Sequence, residues 1–162
     1  MTMNFTTTET PVGPLLLAAD DGGLCFISFA GKKRAVRPER AWIENAKPLA
    51  EVIRQLRAYF RGELEEFDVP LNMRGTPFQL RVWQGLREIP YGETTSYGAL
   101  ARRIGEPDAV RAVGAANGSN PIPIIVPCHR VIGSDGSLTG YGGGLPIKEK
   151  LLALESRQLR LL

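Results

Sequence analysis

The sequence predicts an α+β chain, a small antiparallel sheet with one helix followed by a mostly helical unit built on a helix-turn-helix. Three observations carry this. The first thirty residues alternate apolar runs with Gly- and Pro-rich turns. From Thr76 onward, short segments with helix-start signals follow one another. The two kinds of segment are segregated along the chain rather than interleaved, which is the α+β pattern.

Met3 to Thr8 and Leu15 to Ala19 flank a Pro11–Pro14 turn, and Asp20-Asp-Gly-Gly23 leads into Leu24 to Phe29. Apolar runs bounded by such turns read as a three-stranded meander. Cys25, inside the third strand, reads as a core residue. Gly31 to Arg40 is basic (Lys32, Lys33, Arg34, Arg37, Arg40) and reads as a surface loop. Leu49, Val52, Ile53, Leu56 and Phe60 have helical spacing, which predicts a helix over 48–60. Glu63 to Leu71 is expected to end in a strand. Residues 1–75 thus form a scaffold unit.

Residues 76–162 form the second unit. Thr76-Pro77 combines an N-cap with Pro at the first helical position, and Phe78, Val82, Trp83, Leu86 and Ile89 give that helix its apolar face. Thr95 or Ser96 caps a helix over 97–104. Gly105-Glu-Pro107 turns the chain, and Asp108 is expected to cap a helix over 109–116. Helix, short Gly-containing turn, helix is the helix-turn-helix arrangement. Its second helix has small side chains except for Arg111, and includes Gly114. An interior helical glycine costs about 1 kcal/mol relative to Ala, so either tight helix packing or a flat face pressed into a nucleic-acid groove must offset it. A last helix is expected over 147–154, with a fraying tail from Glu155 to Leu162.

The chain has 162 residues, 43% hydrophobic and 23% charged, which fits a globular protein and excludes a disordered one. Lysine and arginine balance aspartate and glutamate in residues 1–75, so the net +3 falls in residues 76–162. The start of the chain lacks a basic region and an apolar segment, and no apolar run is long enough to span a bilayer. The two cysteines, Cys25 and Cys128, are far apart. Together these predict a reduced cytoplasmic protein. Two cysteines and one histidine are too few for the usual zinc ligand set, so no metal is expected.

Chemistry concentrates in Asn120-Pro-Ile-Pro-Ile-Ile-Val-Pro-Cys128-His129-Arg130. Prolines inside the apolar run argue against a helix or a central strand. They predict a short extended segment that crosses the core and ends at Cys128, held firmly but open to a pocket. A lone cysteine is more often a small buried hydrophobe. Here the chain's single histidine adjoins it, and a hydrogen-bonding or cationic neighbour lowers a thiol pKa toward neutrality and yields the reactive thiolate.

These residues resemble the active-site signature of the O(6)-alkylguanine-DNA alkyltransferases, the methylated-DNA–protein-cysteine methyltransferases. Thr76-Pro-Phe-Gln with Val82-Trp83, Ile89-Pro-Tyr-Gly-Glu93, Ser96-Tyr-Gly98, Ala109-Val-Arg-Ala-Val-Gly114 and Leu138-Thr-Gly-Tyr141 with Gly143-Gly144 resemble the family in the same order. The resemblance implies an RNase H-like N-terminal scaffold and a winged helix-turn-helix domain. It implies irreversible, stoichiometric transfer of an alkyl group from O6 of guanine, and from O4 of thymine, in double-stranded DNA to Cys128, with no cofactor. His129 would take the thiol proton through a water, and Glu155 would orient it. Tyr97 would serve the base at N3, and Asn120 would tie the segment before the cysteine to the site. Tyr141, Gly142, Gly143 and Val131 would form the alkyl pocket. Relatives often carry a small hydroxyl residue at the position of Gly142, which leaves only a backbone donor here. Arg111 would fill the gap left by the everted base, with Ala109, Ser134 and Arg130 also at the DNA. The protein is expected to act as a monomer. Two further readings have discriminating features. A lesion-binding relative without transfer activity has another residue where Cys128 stands. A thiol hydrolase seldom has its Cys and His adjacent in sequence.

Overall fold

The computed structural model describes residues 2–32 and 35–160, the last four by backbone only. The chain falls into two compact units, Met1–Met73 and Arg74–Leu162.

The first unit is a four-stranded sheet with one helix. Strands β1 (Asn4–Thr10), β2 (Gly13–Asp20) and β3 (Gly23–Phe29) form the antiparallel meander, and a two-residue strand β4 (Ile43–Glu44) pairs parallel with β1, giving the order β3-β2-β1-β4. The middle strand is buried along most of its length, from Leu15 to Ala19. Helix α1 (Ala50–Phe60) turns Val52, Leu56 and Tyr59 inward. Trp42 stacks on Phe26 and tilts against Phe5, which anchors the segment before β4.

The expected strand at the end of 63–71 reduces to a single bridge between Leu71 and Leu24. Side-chain hydrogen bonds replace a ladder there. Gln55 Nε2 donates to Asp68 O (3.0 Å), and Asp68 N donates back to Gln55 Oε1 (2.8 Å). Gly23 is required at the bridge, because a Cβ there would stand 2.6 Å from Pro70 O. Of the basic stretch, Lys33 and Arg34 lie outside the described residues, while Lys32, Arg37 and Arg40 are exposed.

The second unit is mostly helical. Helix α2 (Pro77–Arg87) begins with a full capping box between Thr76 and Gln79. Strand β5 (Thr95–Ser96) leads into α3 (Tyr97–Arg103), where Ser96, not Thr95, caps by accepting from Ala99 N at 3.0 Å. Helix α4 (Val110–Gly118) follows the turn. Asp108 does not cap it: the residue falls inside the Glu106–Ala109 turn, one position early, and Ala109 takes the cap position without a side-chain bond. Strand β6 (Val131–Ile132) pairs parallel with β5, and α5 (Leu145–Arg160) closes the described chain.

Two further expectations change. The run before Cys128 is not extended. It folds into a turn closed by Val126 N donating to Ile122 O at 3.0 Å, with Ile124 at φ +76°. A β-branched residue in that region is strained, and tight burial holds it there, since Ile124 is 1% exposed. Helix α5 also continues past Leu154, so Glu155 lies in its interior rather than in a frayed tail. The last two residues of the expected tail lie outside the described residues.

Candidate active site

Cys128, His129 and Arg130 make up a one-turn 3-10 helix, and all three are buried. The turn before it positions them. Asn120 clamps that turn from both sides, with Oδ1 accepting from Ile122 N (3.0 Å) and Nδ2 donating to Val126 O (2.8 Å).

His129 is fully buried, and its Nε2 stands 2.7 Å from Glu155 Oε2. Arg130 grips the same carboxylate with two donors, Nε to Oε1 (2.8 Å) and Nη2 to Oε2 (3.0 Å). Its third donor, Nη1, reaches Ile89 O at 2.7 Å, and the guanidinium lies 5.6 Å above the Tyr91 ring. Arg130 is buried with its donors taken inside the protein, which does not fit the DNA contact expected of it. Two of its nitrogens hold Glu155 and the third holds Ile89 O, and the short 3-10 turn points the side chain inward.

Burial alone would raise Glu155, but the hydrogen bond to His129 and the hydrogen bonds and charge of Arg130 outweigh it and hold the carboxyl well below its ordinary value. Burial, with the Arg130 and Lys148 charges, lowers His129 further than Glu155 raises it, which favours a neutral imidazole at neutral pH. With His129 neutral, the bidentate Arg130 contact is what keeps Glu155 ionised. An ionised carboxylate at 2.7 Å fixes the proton on Nε2 and leaves the lone pair on Nδ1. That atom is buried and without a hydrogen-bond partner among the described residues.

Cys128 is 5% exposed. Burial pushes its thiol up to about 11, and the Asn120 hydrogen bond and the Lys148 charge recover only part of the rise. The expectation of a lowered thiol pKa in an open pocket is thus corrected. At neutral pH the resting nucleophile is a shielded thiol beside a neutral imidazole.

Lys148, unforeseen from the sequence, is wholly buried on α5. Its Nζ donates to Val131 O (2.7 Å) and to Thr139 O (2.8 Å), and burial lowers its pKa against the raising charge of Cys128. A signal was available: Lys148, Leu151 and Glu155 recur at i, i+3 and i+7, which places two charges on the buried stripe of the helix.

Around this cluster, Val131 is buried at the start of β6 and Gly143 is buried in the loop before α5. Tyr141 is half-buried as a residue, yet its hydroxyl is enclosed, and burial together with the Cys128 and Glu155 charges raises its pKa. Gly142 is exposed, with open space where a Cβ would stand. Tyr97 opens α3, and its Oη receives a hydrogen bond from Thr139 Oγ1 at 3.0 Å. The α4 backbone passes close by, since a Cβ on Gly114 would lie 3.9 Å from the Tyr97 ring. Helix α2 buttresses α4: Trp83 Nε1 donates to Ala116 O at 2.8 Å, and Gln79 reaches Ser119. The outer face of α4 presents Val110, Arg111, Ala112 and Ala115 to solvent. Ala109 is half-buried at the helix start, and Ser134 is exposed in the turn after β6. Arg111, Ala109 and Ser134 thus lie at the surface of the unit, apart from the buried cluster. Among the described residues, no three His, Cys, Asp or Glu side chains gather as metal ligands, and no helix is long and apolar enough to cross a membrane.

Two family models cover nearly all of the chain. The 6-O-methylguanine DNA methyltransferase ribonuclease-like domain matches residues 3–73, and the DNA binding domain of the same family matches residues 77–157. A methylated-DNA–protein-cysteine methyltransferase of Methanosarcina acetivorans is 55% identical over 153 residues, covering 94% of this chain and 98% of that protein. The one from Mycolicibacterium paratuberculosis is 53% identical over 156 residues, covering 96% and 93%. The crystal structure of the Mycobacterium tuberculosis O6-methylguanine methyltransferase superposes with a TM-score of 0.88 at 50% identity, covering 98% of both chains. A structure of the M. tuberculosis OGT in complex with DNA gives the same score and identity, covering 98% of this chain and 94% of that one.

Proposed function

The chain belongs to the 6-O-methylguanine DNA methyltransferase family, and from that premise we propose how its own residues carry out the transfer. It is a DNA-binding repair protein, a methylated-DNA–protein-cysteine methyltransferase that moves an alkyl group from O6 of guanine onto a cysteine of its own. That acceptor is Cys128, and a duplex carrying O6-alkylguanine, or O4-alkylthymine, is the substrate. The observation that carries this reading is the buried Cys128 followed by His129, whose Nε2 lies 2.7 Å from the Glu155 carboxylate that Arg130 also holds.

The modified base is everted into the site, at a cost of a few kcal/mol in lost stacking and pairing. Arg111, exposed near the start of α4, fills the gap it leaves, while the small residues of α4 let the helix lie in the minor groove. Ser134 contacts a phosphate. Cys128 Sγ attacks the alkyl carbon, forming the S–C bond as the C–O6 bond breaks. The thiol proton moves through a water to His129 Nδ1, and the imidazolium so formed is stabilised by Glu155. Negative charge develops on the departing guanine, where the Tyr97 hydroxyl donates to N3 and the backbone N–H groups of Gly142 and Gly143 serve O6, that of Gly144 being taken by Tyr141 O. The departing guanine takes up a proton and the imidazolium gives its own back to solvent, so in net balance the alkyl group ends on sulfur and one proton on guanine. The thioether has no leaving group that water can displace, so each molecule acts once.

The chain works as a monomer in the cytoplasm. The test is incubation with increasing excess of a duplex oligonucleotide carrying O6-methylguanine, followed by peptide mass spectrometry. The expected result is methylation confined to the Cys128 peptide and a plateau at one transfer per protein. Multiple turnovers, or label on Cys25, would reject the reading.

A further inference from the structure

The loop between β6 and α5 is fastened at one residue from two directions. Thr139 O accepts from the buried Lys148 ammonium at 2.8 Å, and Thr139 Oγ1 donates to Tyr97 Oη at 3.0 Å. Lys148 also holds Val131 O at 2.7 Å, and Val131 pairs with Thr95, two residues before Tyr97. A closed ring of contacts therefore runs from Lys148 through Thr139 to Tyr97, and back through β5 and β6. Nothing in the packing demands it, because Thr139 itself is exposed.

A phenol has one proton and can also accept hydrogen bonds. When Tyr97 accepts from Thr139, its own proton is free to point at another acceptor. A hydroxyl that already accepts a hydrogen bond also donates a stronger one, because successive bonds polarise each other. We propose that Thr139 is a positioning residue for the transfer reaction: its hydroxyl orients Tyr97 as a donor toward the everted base, and Lys148 fixes the carbonyl that keeps Thr139 in place. This rests on the role given above to Tyr97. Its effect belongs to the charge that develops on the leaving base, so it acts on the rate of transfer rather than on DNA binding.

The experiment compares Thr139→Val, which keeps the shape and removes the hydroxyl, with Thr139→Ser, which keeps the hydroxyl. Each is made in the natural chain and in Tyr97→Phe. Single-turnover methyl transfer from an O6-methylguanine duplex is followed across DNA concentrations, which separates the maximal rate from half-saturation. Thr139→Val is expected to slow the maximal rate by roughly three- to tenfold, the worth of one hydrogen bond, and to leave half-saturation in place. Thr139→Ser stays within about twofold of the natural chain. In the Tyr97→Phe background, Thr139→Val adds nothing. The inference is overturned if Tyr97→Phe is slow while Thr139→Val is as fast as the natural chain. It is equally overturned if Thr139→Val costs the same factor with and without the Tyr97 hydroxyl, or if only half-saturation moves. A Tyr97→Phe protein as fast as the natural chain would remove both the role of Tyr97 and the inference built on it.

Discussion

The two units bury their side chains by opposite rules. In Met1–Met73 the interior is aliphatic and aromatic, and Ser28 and Gln55 are its buried polar residues among those described. In Arg74–Leu162 the interior holds His129, Arg130, Lys148 and Glu155 around Cys128. Buried charges are costly, and replacing a buried ion pair by apolar residues of similar volume is often neutral or stabilising. A fold under selection for stability alone has little reason to keep four ionisable groups in one core. The contrast teaches that the second unit's core is arranged around a proton and a nucleophile, and the first unit's around packing.

The sharpest way to break the contrast is at the sulfur. Cys128→Ser should abolish methyl transfer and leave the thermal midpoint close to that of the natural chain, as read by oligonucleotide assay and circular dichroism. Next comes Glu155→Ala, which strands the Arg130 guanidinium in the core and should cost about 3–5 kcal/mol, a fall of roughly 10 °C or more in Tm, with transfer lost as well. Leu17→Ala, at a fully buried site in the first unit, should cost about 2–5 kcal/mol. Its transfer rate per folded molecule should nevertheless match the natural chain, and a parallel loss of rate would blur the division between the units. Gly142→Ser should change stability by no more than about 0.5 kcal/mol, since a Cβ there meets open space.

The pH dependence sharpens the same contrast. His129 is lowered from 6.5, so its contribution is complete above pH 6.5 and declines as pH falls below it. Glu155, lowered from 4.5 to about 2, contributes fully above pH 4.5 and loses that contribution as pH falls toward 2. Both act in the same direction, so denaturant titrations should show the second unit weakening in acid from pH 6.5 downward. In Glu155→Gln that acid limb should be reduced.

The elements marked by local chemistry were legible from the residues alone. The capping box at Thr76 and Gln79, the meander turns and the periodic face of α1 each act within a few residues of themselves, so sequence reports them. What was misread depends on distance. Arg130 adjoins Cys128 in sequence, but its partners Glu155 and Ile89 lie 25 and 41 residues away. The 122–126 turn depends on a left-handed isoleucine that no propensity favours, and it exists because Asn120 clamps it and the core covers it. Gln55 pairs with the Asp68 backbone through two bonds that no pattern advertises. Lys148 was not singled out, because the two carbonyls it holds, Val131 O and Thr139 O, lie 17 and 9 residues away.

On the proposed mechanism Cys128 rests as a shielded thiol and gives up its proton only during transfer. Cβ-labelled cysteine NMR across a pH titration, with Cys128→Ser assigning the two signals, reads that ionisation directly. The account predicts a Cys128 midpoint near 11, well above the ordinary thiol value. A Cys128 signal already in the thiolate position at pH 7 would contradict it.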